Sequence, residues 1–244
     1  EPASEMSSAA KLGMIAISIA FGLVLFVGVP HLLSWGLGNL LGFDVTSFWF
    51  HAVDGVFKMA ILIGYLAAIS LIPDIRRVFQ YHGAEHKSIY TYEEGLELTV
   101  ANARAQTRFH PRCGTSFLLI VIMVSVVLFS AMLRQKLAEP ALLDHALKIL
   151  LKIPLMFPVA GLAYELIKIS GRYYQRSLPA RVLAAPGLWL QKITTKEPSD
   201  EQLEIALISI RKALWRERAL ISGEAHPGGV KVFANAAEVA LPLS

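Results

Sequence analysis

Four residues of types that commonly bind metals lie in one short stretch of this chain, between two long apolar runs. They are three of the seven histidines and the only cysteine: His82, His86, His110 and Cys113. If residues 81–90 are helical, His82 and His86 lie one turn apart on one face, and Glu85 follows His82 at the i+3 position. This is the spacing of a two-histidine metal clamp.

The two motifs of the stretch indicate zinc. HGAEH, from His82 to His86, contains the H-x-x-E-H pattern, in which the histidines bind zinc and the glutamate activates water. His110 and Cys113 form an H-x-x-C pair, and zinc accepts both imidazole nitrogen and thiolate sulfur. We therefore expect a zinc-type site with Glu85 as its catalytic residue, although another divalent metal stays open because affinity alone does not set selectivity.

Each of these residues also has an ordinary explanation. Two histidines near a membrane surface can be interfacial polar residues, and a lone cysteine is more often a small buried apolar residue. If all four residues bind, the site is closed and structural, whereas three ligands leave a position for water. Redox-active iron is a further alternative, which the scarcity of carboxylates at bundle spacing disfavours.

The sequence around these motifs resembles a known family. QYHGAEHKSIYTYEEGLELTV, HPRCGTSFLLIV, DIRRVFQ, AYELIKISGR and PGLWLQKITTKEPSDEQLEIALISI resemble the bacterial membrane-protein family DUF1385, also called the YqhQ family. The resemblance covers most of residues 47–210 and implies an integral membrane protein with a metal-dependent enzymatic activity. Family members begin with a glycine-rich stretch of the type GGQAVIEGVMMR. No such stretch precedes the first apolar run, and the chain begins at Glu1, so we expect that an N-terminal portion is missing.

The composition is that of a membrane protein. Of the 244 residues 55% are hydrophobic and only 17% are charged. The net charge of +4 is modest, and the basic residues lie beside apolar runs rather than among aromatic residues, which argues against a nucleic-acid partner. A single cysteine allows no intrachain disulfide, which is consistent with a reducing compartment.

Four apolar runs are long enough to cross ~30 Å of hydrocarbon, at residues 12–33, 53–73, 116–133 and 146–169. We interpret the first run as a span rather than a signal peptide, because it is long and no small-residue cleavage pattern follows it. The sequence predicts an all-α membrane protein with about four transmembrane helices. Residues 1–170 form the transmembrane region, with a cytosolic metal-site loop at 74–115, and residues 171–244 form an interfacial and cytosolic C-terminal segment.

The basic residues predict the orientation. They flank the motif loop and follow the fourth span, whereas the first connection has none. Arg134, Lys136 and Lys148 in the second outer connection weaken this contrast. The bias still places the loop and both termini in the cytosol, in the bacterial inner membrane.

Several polar residues are auxiliary candidates. Asp74 lies in i+4 register with the histidines and could orient one of them, and Arg112 lies between His110 and Cys113. Glu165, with Tyr164 beside it, lies near the end of the fourth span, where it is either a further ligand or proton carrier for the site or a headgroup contact. Asp54 and Lys58 can form an ion pair, and for them an interfacial pair is favoured over an ion pathway.

Capping signals predict the helices around the site. Residues 93–95 indicate a turn, and Thr99 caps a helix over 100–108. Ser199 and Gln202 form a capping box for a helix whose apolar stripe needs a partner surface: Leu203, Ala206, Leu207, Ile210 and Leu214. The tail beyond Gly223 predicts a turn containing His226 and a short strand.

The function that these features favour is a metal-dependent hydrolase in the membrane. His82, His86 and Cys113 would bind the metal, and His110 would be a fourth ligand or would orient another. The substrate would be a membrane-protein segment or a lipid head group. The alternative is a non-enzymatic scaffold in which a structural metal fixes the loop. The oligomeric state stays open.

Overall fold

The computed structural model describes residues 7–222, and within this range all regular structure is helical. The helices are α1 Ser8–Leu23, α2 Val29–Leu41, α3 Phe48–Ile69, α4 Pro73–Glu93, α5 Val100–Ala105, α6 Gly114–Met132, α7 Ala141–Tyr173, α8 Leu178–Thr194 and α9 Asp200–Ser222. A π-helical turn, Val24–Gly28, joins α1 to α2. The predicted all-α fold is confirmed for these residues, while the strand and turn predicted around His226 lie outside them.

Within residues 7–222, four helices are long and apolar enough to cross a membrane: Ser8–Leu41, Phe48–Ile69, Gly114–Met132 and Ala141–Tyr173. Each contains most of one predicted span. The first and the last are longer than predicted, with 34 and 33 residues, or ~50 Å at 1.5 Å per residue. Trp35, which lies beyond the predicted end of the first span at residue 33, is therefore inside a helix.

The second predicted span ends earlier than expected. It was predicted to reach Pro73, but α3 ends at Ile69 and Pro73 begins α4. Ile72 is extended, with φ −75° and ψ 125°, because a residue before proline is disfavoured in the helical conformation. The helix that carries the histidines, α4, is thus separate from the long apolar helix α3 before it.

The chain divides into two compact units, each made of two chain segments. The first unit contains Glu1–Tyr65 and Arg112–Gly187, and the second contains Leu66–Pro111 and Leu188–Ser244. The sequence predicted a boundary at residue 170, between the transmembrane region and the C-terminal segment. Most of the predicted metal-site loop thus falls in the same unit as the C-terminal helix α9.

In the first unit, α6 and α7 share an apolar core. Ile120 packs with Ala163 and Ile167, and Phe129 packs with Leu133 and Val159. Gly55 allows α3 to approach α6, because a methyl group at this position would overlap the side chain of Val126. Close helix packing at glycine is common between membrane helices.

In the second unit, α4, α5 and α9 meet around Ala84, Ala103, Leu203 and Leu207. The apolar stripe predicted for α9 therefore has its partner surface on α4 and α5. The small alanine side chains let the leucines of α9 lie close to the backbone of both helices.

The predicted caps of this unit are confirmed. The amide of Gln202 donates to Ser199 Oγ at 3.3 Å, and the amide of Ser199 donates to Gln202 Oε1 at 2.9 Å. The amide of Asn102 donates to Thr99 Oγ1 at 3.3 Å. The helix after Thr99 ends at Ala105 rather than at residue 108. Gly95 forms the predicted turn with φ +68°, which favours glycine.

Candidate metal centre

Helix α4 places the two motif histidines side by side. The ring centroids of His82 and His86 are 4.4 Å apart, as the i, i+4 spacing predicted. His82 is half-buried and His86 is 3% exposed. The pair therefore lies at the edge of the unit, with one ring enclosed and one partly open.

Backbone carbonyls fix the tautomer of both rings. His82 Nδ1 lies 2.8 Å from the carbonyl oxygen of Thr194, and His86 Nδ1 lies 2.6 Å from that of Arg108. A carbonyl oxygen only accepts hydrogen bonds, so each Nδ1 must carry the proton. In the neutral ring the lone pair then lies on Nε2, the arrangement that metal-binding histidines commonly adopt.

Gly83 allows the segment that carries the first of these carbonyls to lie against α4. A methyl group at Gly83 would overlap the carbonyl oxygen of Lys196. The amide of Lys196 donates to the carbonyl of Phe79 at 2.8 Å. Arg108 Nη1 donates to the carbonyl of Thr195 at 2.6 Å, which connects the two segments that orient the histidines.

His110 is held next to this pair by Gln191. The His110 amide donates to Gln191 Oε1 at 2.7 Å, and Gln191 Nε2 donates to the His110 carbonyl at 2.7 Å. The His110 ring is centred 5.7 Å from that of His86. Its Nε2 lies 3.4 Å from Glu93 Oε2. A carboxylate accepts, so Nε2 donates and the lone pair of the neutral ring is on Nδ1.

Several residues of this site were not among the sequence candidates. Besides Gln191 and Glu93 they include Lys87, which is 4% exposed, and Thr194. Lys87 Nζ donates to the carbonyl of Arg104 at 3.0 Å and pairs with Glu197 Oε1 at 2.6 Å. The only signal for Gln191 and Thr194 was the string LWLQKITTKEP among the family motifs, because no local spacing connects residues so far apart in the chain.

Cys113 lies three residues after His110, as the N-cap of α6 at the start of the second segment of the first unit. It is 7% exposed. The amide of Thr115 donates to Cys113 Sγ at 3.5 Å. The neighbouring Arg112 is exposed, and its side chain lies where a methyl group on Gly171 would be.

The acidic residues predicted for the metal site are exposed. Glu85 faces solvent on α4, and Asp74 is exposed in the first turn of that helix, ~12 Å along the axis from His82. The carbonyls of Thr194 and Arg108 provide the orienting contacts that Asp74 was expected to supply. In the first unit Tyr164 is 57% exposed, and Glu165 pairs with Lys168 at 3.5 Å.

These features describe an all-α protein with four helices able to cross a membrane and a buried histidine cluster. Residues 1–216 match the model of a family described as "Protein of unknown function (DUF1385)". The chain belongs to this family, as its motifs indicated.

A relative from Bacillus subtilis (strain 168), named "Uncharacterized protein YqhQ", is 35% identical over 216 residues. The match covers 88% of this chain and 64% of the relative, so the chain spans about two thirds of that protein. No solved structure matches the chain.

Proposed function

We propose that this chain is a bacterial membrane protein that binds a zinc-type metal through His82 and His86 and uses it for hydrolysis. The proposal rests on the Nδ1 bonds to the carbonyls of Thr194 and Arg108. Both bonds use Nδ1, so both rings present the other nitrogen, Nε2, as a ligand. The two acceptors lie on separate chain segments.

His110 and Cys113 complete the donor set in this proposal. Three residues span at most about 11 Å of extended chain, so the chain itself keeps Cys113 within that distance of His110, whose backbone Gln191 holds. Imidazole and thiolate together suit zinc better than magnesium or calcium, which prefer oxygen ligands. His110 either binds through Nδ1 or supports the other ligands through its contacts with His86 and Glu93.

The residues of the chain have separate roles in such a hydrolase. A bound zinc ion supplies Lewis acidity that polarises a carbonyl group. The carbonyls of Thr194 and Arg108 hold the two imidazoles in place. Glu85, exposed one turn from the half-buried His82, accepts the proton of an attacking water that enters from solvent. The substrate is an amide or ester at the membrane, in a membrane-protein segment or a lipid head group.

A structural metal is the second candidate, and the burial of the site favours it. His86 and His110 are 3% and 6% exposed. The same contacts join α4 to the segments at 108–110 and 194–197. A metal held there would stabilise the fold of the second unit, because metal binding energy then becomes folding energy.

The first experiment measures zinc per chain in the purified protein. We expect near-stoichiometric zinc in the parent, in Glu85→Gln and in a matched control, Glu204→Gln, which removes an exposed carboxylate of α9. We expect loss of zinc in His82→Ala and Cys113→Ala. Absence of metal from the parent and from every variant would contradict both metal proposals.

A second experiment separates the two uses of the metal. In proteoliposomes, the hydrolase predicts that Glu85→Gln keeps its zinc but cleaves ester and peptide substrates more slowly by about 10²- to 10⁴-fold. The structural site predicts that chelation lowers the unfolding temperature while no cleavage is seen. Full activity in zinc-loaded Glu85→Gln would exclude Glu85 as the base.

A further inference from the structure

The first unit buries a second cluster of ionisable residues, separate from the histidines of α4. It is formed by α2, α3 and α7, and each member is at most 8% exposed: His31, His51, Asp54, Lys58, Asp144, His145, Lys148 and Lys152. Lys58 lies ~15 Å along α3 from its first residue, near the middle of that 22-residue helix. Charged residues at such depth are costly and usually functional. The ion pair predicted for Asp54 and Lys58 is confirmed at 2.7 Å, and both residues are buried within the unit.

Five members form a continuous chain of hydrogen bonds, which we call the polar chain. His145 Nδ1 lies 3.0 Å from His31 Nε2, and His31 Nδ1 lies 3.1 Å from Lys152 Nζ. Lys152 Nζ lies 3.0 Å from Asp54 Oδ2. The same oxygen accepts from Lys58 Nζ at 2.7 Å. The polar chain thus runs from the first turns of α7 to the middle of α3.

The donors in the polar chain have a defined direction. An ammonium group has no lone pair, so charged Lys152 donates to His31 Nδ1. His31 then carries its proton on Nε2 and donates to His145 Nδ1. His31 therefore links two ionisable partners through its two opposite nitrogens, as a residue must do to take up a proton on one side and release it on the other.

The charge of the cluster favours exchange of one proton. With neutral histidines, the three ammonium groups of Lys58, Lys148 and Lys152 face only two carboxylates, Asp54 and Asp144. Lys148 Nζ pairs with Asp144 Oδ2 at 3.0 Å, so Asp54 alone balances the other two. The loss of one proton would make the cluster neutral, and an unbalanced charge is costly in a low-dielectric interior.

Among the described residues, the connections beside the cluster add charged groups of their own: the Asp44 carboxylate acts on Lys148, and Asp144 attracts the Lys136 ammonium. Helix α6 contributes the Phe129 ring, 5.5 Å from Lys58 Nζ and 5.6 Å from Lys152 Nζ. After α6, the Arg134 side chain donates to the carbonyl of Ser130. In the loop between α2 and α3, Asp44 accepts from Thr46. His51, on α3, faces the cluster without a hydrogen-bond partner.

We propose that the polar chain is a proton relay between the end of the unit where α7 begins and the Lys152–Asp54 pair inside the bundle. The relay starts from neutral Lys152, whose amine accepts from His31 Nδ1, so that both rings carry their proton on Nδ1. A proton taken up on His145 Nε2 is then balanced by transfer of the His145 Nδ1 proton to His31 Nε2. The His31 Nδ1 proton then passes to the amine of Lys152, which becomes ammonium. The links are direct, so anything larger than a proton must break them to pass.

The relay is tested by ring ¹⁵N NMR of the full chain in lipid bilayers between about pH 5 and about pH 10, a range chosen to include the usual histidine pKa and most of the lysine titration. As Lys152 loses its proton, we expect His31 and His145 to change tautomer together. Lys152→Met and Lys152→Gln should remove the change at His31. Ser125→Ala, a buried α6 variant outside the polar chain, should leave it intact.

Proton exchange gives an independent readout. His145→Phe keeps an aromatic ring packed against Trp35, whose ring centroid is 4.9 Å from that of His145, but removes the entry to the relay. We expect the His31 ring proton to exchange with solvent about a hundredfold more slowly in this variant. The relay is overturned if His31 keeps one tautomer throughout, if the change persists without Lys152, or if His145→Phe exchanges at the parent rate.

Discussion

At the scale of single residues, the Gln191 amide is the contact that fixes the backbone of His110. Gln191→Ala would leave the amide and carbonyl of a buried residue without these partners. We expect the free energy of unfolding to fall by about 1–3 kcal/mol and zinc affinity to fall by about 10- to 100-fold. Denaturant unfolding and metal titration of the purified chain measure these effects.

Gln175→Ala is the matched control, because Gln175 is exposed. It should change neither quantity. Equal zinc affinities in Gln191→Ala and the parent would show that the position of His110 does not matter for metal binding.

The residue types and spacing of the site were readable from the sequence, but the contact of Glu93 with His110 was not. The H-x-x-E-H pattern correctly placed His82 and His86 on one helical face. It also drew attention to Glu85, which is exposed. Glu93 lies seven residues after His86, two turns along the same face, and contacts His110. That periodicity was available, but the carbonyl partners depend on chain segments distant in sequence.

At the scale of elements, an ion pair joins α5 to α9. Arg104 Nε donates to Asp200 Oδ1 at 3.1 Å, and a second nitrogen donates to Oδ2. These hydrogen bonds lower the pKa of Asp200 below its usual value and raise that of Arg104. A carboxyl group whose pKa is lowered on folding stabilises the fold above its unfolded pKa, about 4, and this stabilisation is lost as the pH falls through the folded pKa.

Asp200→Asn should therefore lower the unfolding temperature of the chain at neutral pH. The difference from the parent should shrink below about pH 4 and vanish at lower pH, where Asp200 is protonated in both states. It should also shrink at high salt, since the pair is exposed. Thermal unfolding across this pH range is the measurement, and a difference independent of pH would show that the pair does not cause it.

Helix packing in the first unit depends on Gly55. Gly55→Ala would place a methyl group against Val126, and we expect a loss of about 1–3 kcal/mol from overpacking. Gly64→Ala on the same helix meets no atom within 4 Å. That control should be neutral or slightly stabilising, because alanine is a better helix former. The measurement is the free energy of unfolding in detergent micelles. Equal values for the two variants would contradict close packing at Gly55.

Local signals predicted the elements well, and contacts distant in sequence explain the remainder. The caps at Thr99 and Ser199 were correct because a cap requires only residues within one turn. The partner of the α9 stripe could not be identified, since Ala84 and Ala103 have no periodicity that distinguishes them from other small residues. The end of α3 was placed too late because the apolar run continues to the proline.

At the scale of the whole molecule, α6 should place its two flanking connections on opposite sides of the membrane. Glu97 precedes α6 and Lys136 follows it, and both are exposed. In a Cys113→Ser background, a membrane-impermeant maleimide should label Lys136→Cys in intact cells. Glu97→Cys should be labelled only after permeabilisation, if the motif loop is cytosolic. Equal labelling of both positions in intact cells would contradict this topology.

Neither the division of the protein into two units nor the polar chain could be predicted from the sequence. Apolar runs identify spans one at a time, but the two units each combine segments that are distant in sequence. His31, Asp54 and Lys152 belong to three different helices, and each alone resembles an isolated polar residue. Their importance arises only when the packing of α2, α3 and α7 brings them together.

The π-helical turn at Val24–Gly28 determines which way α2 faces. None of the described residues of α1 is buried, whereas α2 buries Pro30, His31, Ser34 and Gly38. A π-turn accommodates one residue more than a regular helical turn, and each residue of an α-helix advances the face by about 100°. Deleting one residue there would rotate His31 and Ser34 together by about that angle. A point substitution in the turn leaves the rotational position of α2 about its axis unchanged. The face that α2 buries thus depends on how many residues the turn contains as well as on the residue types of α2.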